Sequence, residues 1–167
     1  MLNSFIQFFT LADAAATARV SERLQLVLRD PAAYQTQFAE ELAERGIDAA
    51  LPAQELRDVA LIDALLSEGL AWESSMREHT SALLEGLNEL LALQRRVECL
   101  DETALAGHRN TGPEILDYLQ DALEPLGLAL VLLTLDSDSL PLSLVADAQA
   151  EEVRHRAQEL GFKLVVY

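Results

Sequence analysis

The 167 residues are half apolar and about a quarter charged, and 12 basic against 28 acidic side chains leave a net charge of −16. That length fills one hydrophobic core and predicts a single domain over 1–167, while the apolar fraction excludes a disordered chain. The acidity excludes binding to a nucleic-acid backbone or an anionic membrane surface, both of which rely on Lys and Arg, and admits a basic protein partner.

Phe5, Phe8, Phe9 and Ala12 follow helical spacing, and Val20, Leu24, Val27 and Leu28 continue it. Three phenylalanines on a short terminal helix predict either core or a self-association surface, so Phe5, Phe8 and Phe9 are the candidate contacts of a weak homodimer. Asp30-Pro31 is a helix start, with a capping carboxylate before a residue that has no amide to leave unpaired. This helix carries Tyr34, Phe38 and Leu42 inward and ends at Arg45-Gly46, a basic last turn before a glycine cap. A further helix follows Leu51-Pro52 and closes at Gly69; Leu70-Ala71-Trp72-Glu73 reads as a bridging extended piece.

The longest predicted helix runs from about Ser75 to Val97 on a wide stripe through Met76, Leu83, Leu90 and Val97. Polar Asp101–Gly112 reads as a loop, and Thr111-Gly112-Pro113-Glu114 starts a helix through Ile115, Tyr118, Leu119 and Leu123. From Leu128 the pattern changes to strand, acidic turn, strand, helix and strand. Leu128–Leu133 is apolar on both faces, as in a strand covered on each side. Pro141 places the next strand at an edge, because proline cannot donate to a ladder. The fold class is therefore α+β: a helical layer over about 1–127 packed on a small mixed sheet from a ββαβ unit over about 128–167. The spatial strand order is second, first, third, with a right-handed crossover helix on one face. The N-terminal helices are expected to cover the other face.

Cys99 is the only cysteine and is expected to be a buried, inert thiol, so nothing points to an oxidising compartment. Met1–Phe9 lacks the basic region of a secretory signal, and the longest nearly apolar run falls far short of the ~20 residues of a membrane span. These features predict a cytoplasmic protein.

Asp136-Ser137-Asp138-Ser139 gathers two carboxylates and two hydroxyls in one turn. The residues after it do not continue as a calcium loop, and Asp and Ser are themselves turn formers. Trp72 offers a large apolar surface and one donor, as a lid over the core or an anchor for a partner. Trp72, Asp136, Ser137, Asp138 and Ser139 are thus the candidate binding residues. His79, His108 and His155 are isolated, and only His155 has helical neighbours of opposite charge, at Glu151 and Glu159. No HExxH pair, nucleophile elbow or phosphate-cradling glycine loop is present, so no catalytic residue, metal or cofactor is assigned.

Asp30-Pro31-Ala32-Ala33-Tyr34, Glu41-Leu42-Ala43-Glu44-Arg45-Gly46, Ala60-Leu61-Ile62-Asp63-Ala64-Leu65 and Leu135-Asp136-Ser137-Asp138-Ser139 carry a resemblance. From about Asp30 onward the chain resembles an uncharacterised bacterial family, a domain of unknown function. Ala71-Trp72-Glu73 stands where that family often has Asp-Trp-Lys, and Leu140 stands where an aromatic often follows the acidic turn. The resemblance carries over no activity. The chemistry-bearing residues point to a non-enzymatic acidic protein-interaction module of accessory or immunity type. The alternative is a metal-assisted hydrolase or phosphate-handling enzyme using the acidic turn.

Overall fold

A computed structural model describes residues 1–75, 80–101, 103, 114–134 and 138–167. Five helices come first: α1 (Leu2–Thr10), α2 (Ala14–Arg29), α3 (Pro31–Gln37), α4 (Ala39–Glu44) and α5 (Ala53–Ser67). Then follow β1 (Ala71–Ser75), α6 (Thr80–Leu93), α7 (Glu114–Leu123), β2 (Leu128–Leu133), β3 (Ser139–Ala146), α8 (Ala150–Leu160) and β4 (Leu164–Val166). The α+β class follows, helices preceding a C-terminal sheet. His79, His108 and most of the expected 101–112 loop lie outside the described residues.

Local chemistry explains the helix starts. The Asp13 carboxylate accepts the Ala16 amide at 2.8 Å, and Asp30 accepts the Ala33 amide at 3.0 Å with Pro31 at the first helical position. The single helix expected from Asp30 to Gly46 is two, broken at Phe38, whose φ of −105° and ψ of 23° leave the helical region. Its ring stacks on Tyr34, 4.5 Å between centroids, and lies under the Arg23 guanidinium at 4.0 Å.

The sheet has the order β1-β3-β2-β4 and every neighbouring pair is antiparallel. The expected second, first, third arrangement is present as β3-β2-β4. The sheet is antiparallel rather than mixed, because β3 and β4 both run against the strand between them. It also gains a fourth member: the extended piece at Ala71 is the edge strand β1, paired from Ala71↔Ser143 to Ser75↔Ser139. The helical layer is therefore interrupted by a strand. β3 is an inner strand despite Pro141. Its register with β2 stops at Leu132↔Leu142, one residue short of the proline, so Pro141 faces the end of that ladder. Beyond the short β4, the free backbone of β2 is met by a side chain of α7: Gln120 donates to the Leu128 carbonyl at 3.2 Å and accepts the Leu130 amide at 2.7 Å.

Alternation along the strands splits the interior into two cores. Ala129, Val131, Val145 and Val166 pack with α1, α2, α5 and α8. Leu128, Leu130, Leu142 and Leu144 pack with α6 and α7. The N-terminal helices thus share a face with the crossover helix α8, and the opposite face is covered by α6 and α7, a correction to the expected layering. Phe5 and Phe9 are at most 1% exposed; Phe5 stacks on Phe162 at 5.6 Å and meets Phe9 edge-on at 5.4 Å. Phe8, half-buried, packs against the same core. The phenylalanines offered for a homodimer are therefore packed within the chain itself, because α8, β3 and Phe162 lie against α1. On the other face, α6 ends at Leu93, and Val97 (97% exposed) and Cys99 are exposed rather than buried.

Candidate functional site

Asp63 falls in the apolar run Val59–Leu65 on α5, and a carboxylate carried inward there needs a cation. Arg45, which ends α4, supplies it: Nε donates to Asp63 Oδ1 at 2.7 Å, and Nη2 reaches the same oxygen. The other edge of the guanidinium forks onto Glu73 of β1, Nη1 to Oε1 at 2.8 Å and Nη2 to Oε2 at 2.9 Å. Ser139, at the start of β3, donates its hydroxyl to Glu73 Oε1. A second cation extends the network. Arg23 on α2 donates to the Tyr34 hydroxyl at 3.0 Å and to Glu41 at 2.7 Å, and stands 3.8 Å from Asp63 Oδ2. That carboxylate oxygen is buried with no hydrogen bond among the described residues.

The charges respond to this burial. Burial works to raise the Glu73 carboxyl, but the Arg45 and Ser139 hydrogen bonds outweigh it and hold the group below its ordinary 4.5. Burial pulls the Arg45 guanidinium down, and its two carboxylates more than reverse that. Asp63 is raised by burial against the opposing pull of Arg45 and Arg23, and burial pushes the Tyr34 hydroxyl up to about 12.

Arg45 and Glu73 also form part of the wall of a cavity of about 400 Å³ at one end of the sheet. This lies within the ~300–1,000 Å³ range of ligand sites. Glu73, Thr134, Ser139 and Lys163 come from the sheet end, Glu55, Asp58 and Val59 from α5, and Ile47 and Leu51 from the chain between α4 and α5. Asp58 ties the C-terminus of the fold to this wall: Oδ1 accepts the Lys163 amide at 2.9 Å and Gln54 Nε2 at 3.1 Å, and Gln54 also donates to the Gly161 carbonyl at 2.7 Å. Gly161 has a φ of +79°, the left-handed turn that ends α8 and leads the chain to Lys163. Burial raises the Asp58 carboxyl, opposed by the Lys163 amide and Gln54.

The expected site residues are dispersed. Ser139 lines the cavity, and Asp138 is exposed. Asp136 and Ser137 lie outside the described residues. Trp72 is half-buried on the other face of the sheet, over Gly86 of α6, where an added Cβ would stand 2.3 Å from its Cδ2. Trp72 is thus a packing element, and its Nε1 is buried without a hydrogen-bond partner among the described residues. His155 Nε2 lies 3.3 Å from Glu159 on the exposed side of α8. Among the described residues no group of three or more His, Cys, Asp or Glu could hold a metal ion.

Sequence reasoning read Arg45 as a helix-end charge and missed the network it joins. The signal was Asp63, a carboxylate inside an apolar run. Tyr34, Arg45, Asp63 and Ser139, one from each of the four stretches that carried the resemblance, meet in and beside the cavity wall.

Fold and site together define a three-layer α+β domain, helices on both faces of a four-stranded antiparallel sheet, with an ion-paired cavity at one sheet end. Residues 4–167 match a family model, and the chain belongs to the family described as a domain of unknown function, DUF6630. Comparison with curated proteins and with solved structures returns no match. No helix among the described residues is long and apolar enough to cross a membrane.

Proposed function

We propose that the chain is a non-enzymatic interaction module, an accessory or immunity-type protein of the bacterial cytoplasm, which engages a partner protein through the cavity at the end of the sheet. One observation carries this reading: three charged groups of the cavity wall, Arg45, Glu73 and Asp58, are committed to partners within the chain. Arg45 is held by Asp63 and Glu73, Glu73 by Arg45 and Ser139, and Asp58 by Gln54 and the Lys163 amide. Groups fixed in this way shape a receptacle. Glu73, held below its ordinary range, stays ionised, and Arg45, held above its own, stays protonated, so both keep their charges through the physiological range and make poor acid–base catalysts. The net charge of −16 supports a partner with a basic surface, drawn in by long-range attraction that salt weakens.

The test is capture from a cell extract at moderate salt by wild-type protein and by Ile47→Trp, which places an indole in the cavity from a half-buried position. A specific partner retained by the wild type and lost by the variant, with unchanged circular dichroism, is the expected result. Equal capture by both proteins, or turnover of a substrate at the cavity, overturns the reading.

A further inference from the structure

Lys163 is the only lysine in the chain, and it lines the cavity. Its backbone is fixed by the Gly161 turn and by the hydrogen bond that its amide donates to Asp58, so the side chain leaves a defined point at the cavity mouth. Its ammonium has no ion-pair partner among the described residues, though its charge acts on Asp58. The Thr134 hydroxyl, on the same rim, likewise has none. A strongly acidic chain has thus placed its one primary-amine side chain, uncommitted, beside its committed charges.

The surroundings narrow what such an amine receives. Arg45 directs both edges of its guanidinium at Asp63 and Glu73 and offers no free fork to a phosphate, and a dianion would face Glu55, Asp58 and Glu73 across a small space. A cation would meet the Lys163 charge, with only exposed Glu55 free to attract it. A single negative charge fits. The rest of the wall asks for apolar surface, supplied by Ile47, Leu51 and Val59.

We propose that the cavity takes a terminal carboxylate carried on a short branched aliphatic group. Lys163 Nζ pairs with the carboxylate, Thr134 donates to its second oxygen, and Ile47, Leu51 and Val59 receive the aliphatic part. The assignment rests on the reading of this cavity as the binding site. A carboxylate of this kind comes from two sources, the C-terminus of a partner chain or a free small acid.

The experiment is calorimetric titration of the full chain with N-acetyl-leucine, with 4-methylpentanoate and with the uncharged N-acetyl-leucinamide. Both acids should bind and the amide should be at least about tenfold weaker, the loss of one charged hydrogen bond. Tighter binding of N-acetyl-leucine assigns a chain terminus, and tighter binding of 4-methylpentanoate a free acid. Lys163→Met keeps the backbone amide to Asp58, so it should fold and lose the acids by about the same factor. A second readout is amine acetylation followed by mass spectrometry: the only amines are the N-terminus and Lys163, and N-acetyl-leucine should protect Lys163 alone. Equal affinity for acid and amide, no binding of any probe, or unaltered binding by Lys163→Met overturns the proposal. If Ile47→Trp abolishes partner capture while no acid binds, the interaction reading stands and the carboxylate assignment fails. If the acids bind while capture is unaffected by Ile47→Trp, the interaction reading fails alone.

Discussion

The two faces of the sheet are built by different rules. On the α6–α7 face every fully buried apolar member except Ile115 is a leucine. The opposite face mixes Leu with Phe, Ile, Val, Ala and Tyr and borders a partly buried ionic network. A uniform leucine layer stabilises by area and specifies little, since many leucine packings are near-equivalent. The mixed face has shapes that fit in one way and charges that accept one set of partners. The cavity lies on the specified face, where its walls are held by hydrogen bonds between elements far apart in the chain. The leucine face serves as backing, with Trp72 over Gly86 as a shaped contact.

The largest expected effect separates the two faces directly. Arg45→Met strands the Asp63 and Glu73 carboxylates in a partly buried setting and should cost about 3–5 kcal/mol in urea unfolding. Replacing Arg45, Asp63 and Glu73 together by apolar residues of similar volume should recover most of that loss, since whole buried ion clusters are often replaceable. A triple variant as unstable as Arg45→Met would show that the network does more than satisfy its own charges.

Leu119→Ala on the leucine face should cost roughly 2–5 kcal/mol, toward the lower end if neighbouring leucines collapse into the space. Phe5→Ala, in the shaped core beside Phe162, should fall nearer the upper end of the same scale. Light scattering on wild-type protein and Phe5→Ala checks the partition: the same mass for both, together with reduced stability, belongs to a core residue. Gly86→Ala tests the tight approach of Trp72 to α6 on the leucine face. Its methyl would displace the Trp72 indole, with a cost of about 1–3 kcal/mol and a change in tryptophan fluorescence.

The smallest effect is in acid. Glu73 has a folded pKa below its ordinary 4.5, so its contribution is present above that value and is lost as pH falls through the folded pKa. Asp63 and Asp58, both raised by burial, work in the opposite sense, favouring the fold below their unfolded values and losing that contribution as pH rises through their folded ones. Glu73→Gln should therefore flatten the fall in stability below about pH 4.5 while leaving the Asp-dependent slope above it. Chemical denaturation across pH 3–7 reads both slopes; an unchanged acid limb would place the linkage elsewhere.

Much of the local structure was legible in the residues themselves. Asp30-Pro31 announced a helix start and made one, Gly46 and Gly69 turned where helices end, and the doubly apolar Leu128–Leu133 became an inner strand covered on both faces. Each signal acts over a few residues, through a capping bond, a permitted φ or a repeat of side-chain direction, so it survives without knowledge of the rest of the chain. Strand β1 was read as extended but not as part of the sheet, because its pairing with β3 is a property of residues some seventy positions away.

The site belongs to that second kind of information. Arg45 meets Asp63 at a separation of 18 residues and Glu73 at 28, Ser139 meets Glu73 at 66, and the Lys163 amide meets Asp58 at 105. The sequence by itself determined that a carboxylate at Asp63 required a partner and that the chain had only one lysine to place. Which guanidinium answered that carboxylate, and that the lysine would stand over a cavity, was decided by the packing of α5 against the end of the sheet. An ion pair is specified by distance in space, and distance in space between remote residues is set by the whole fold.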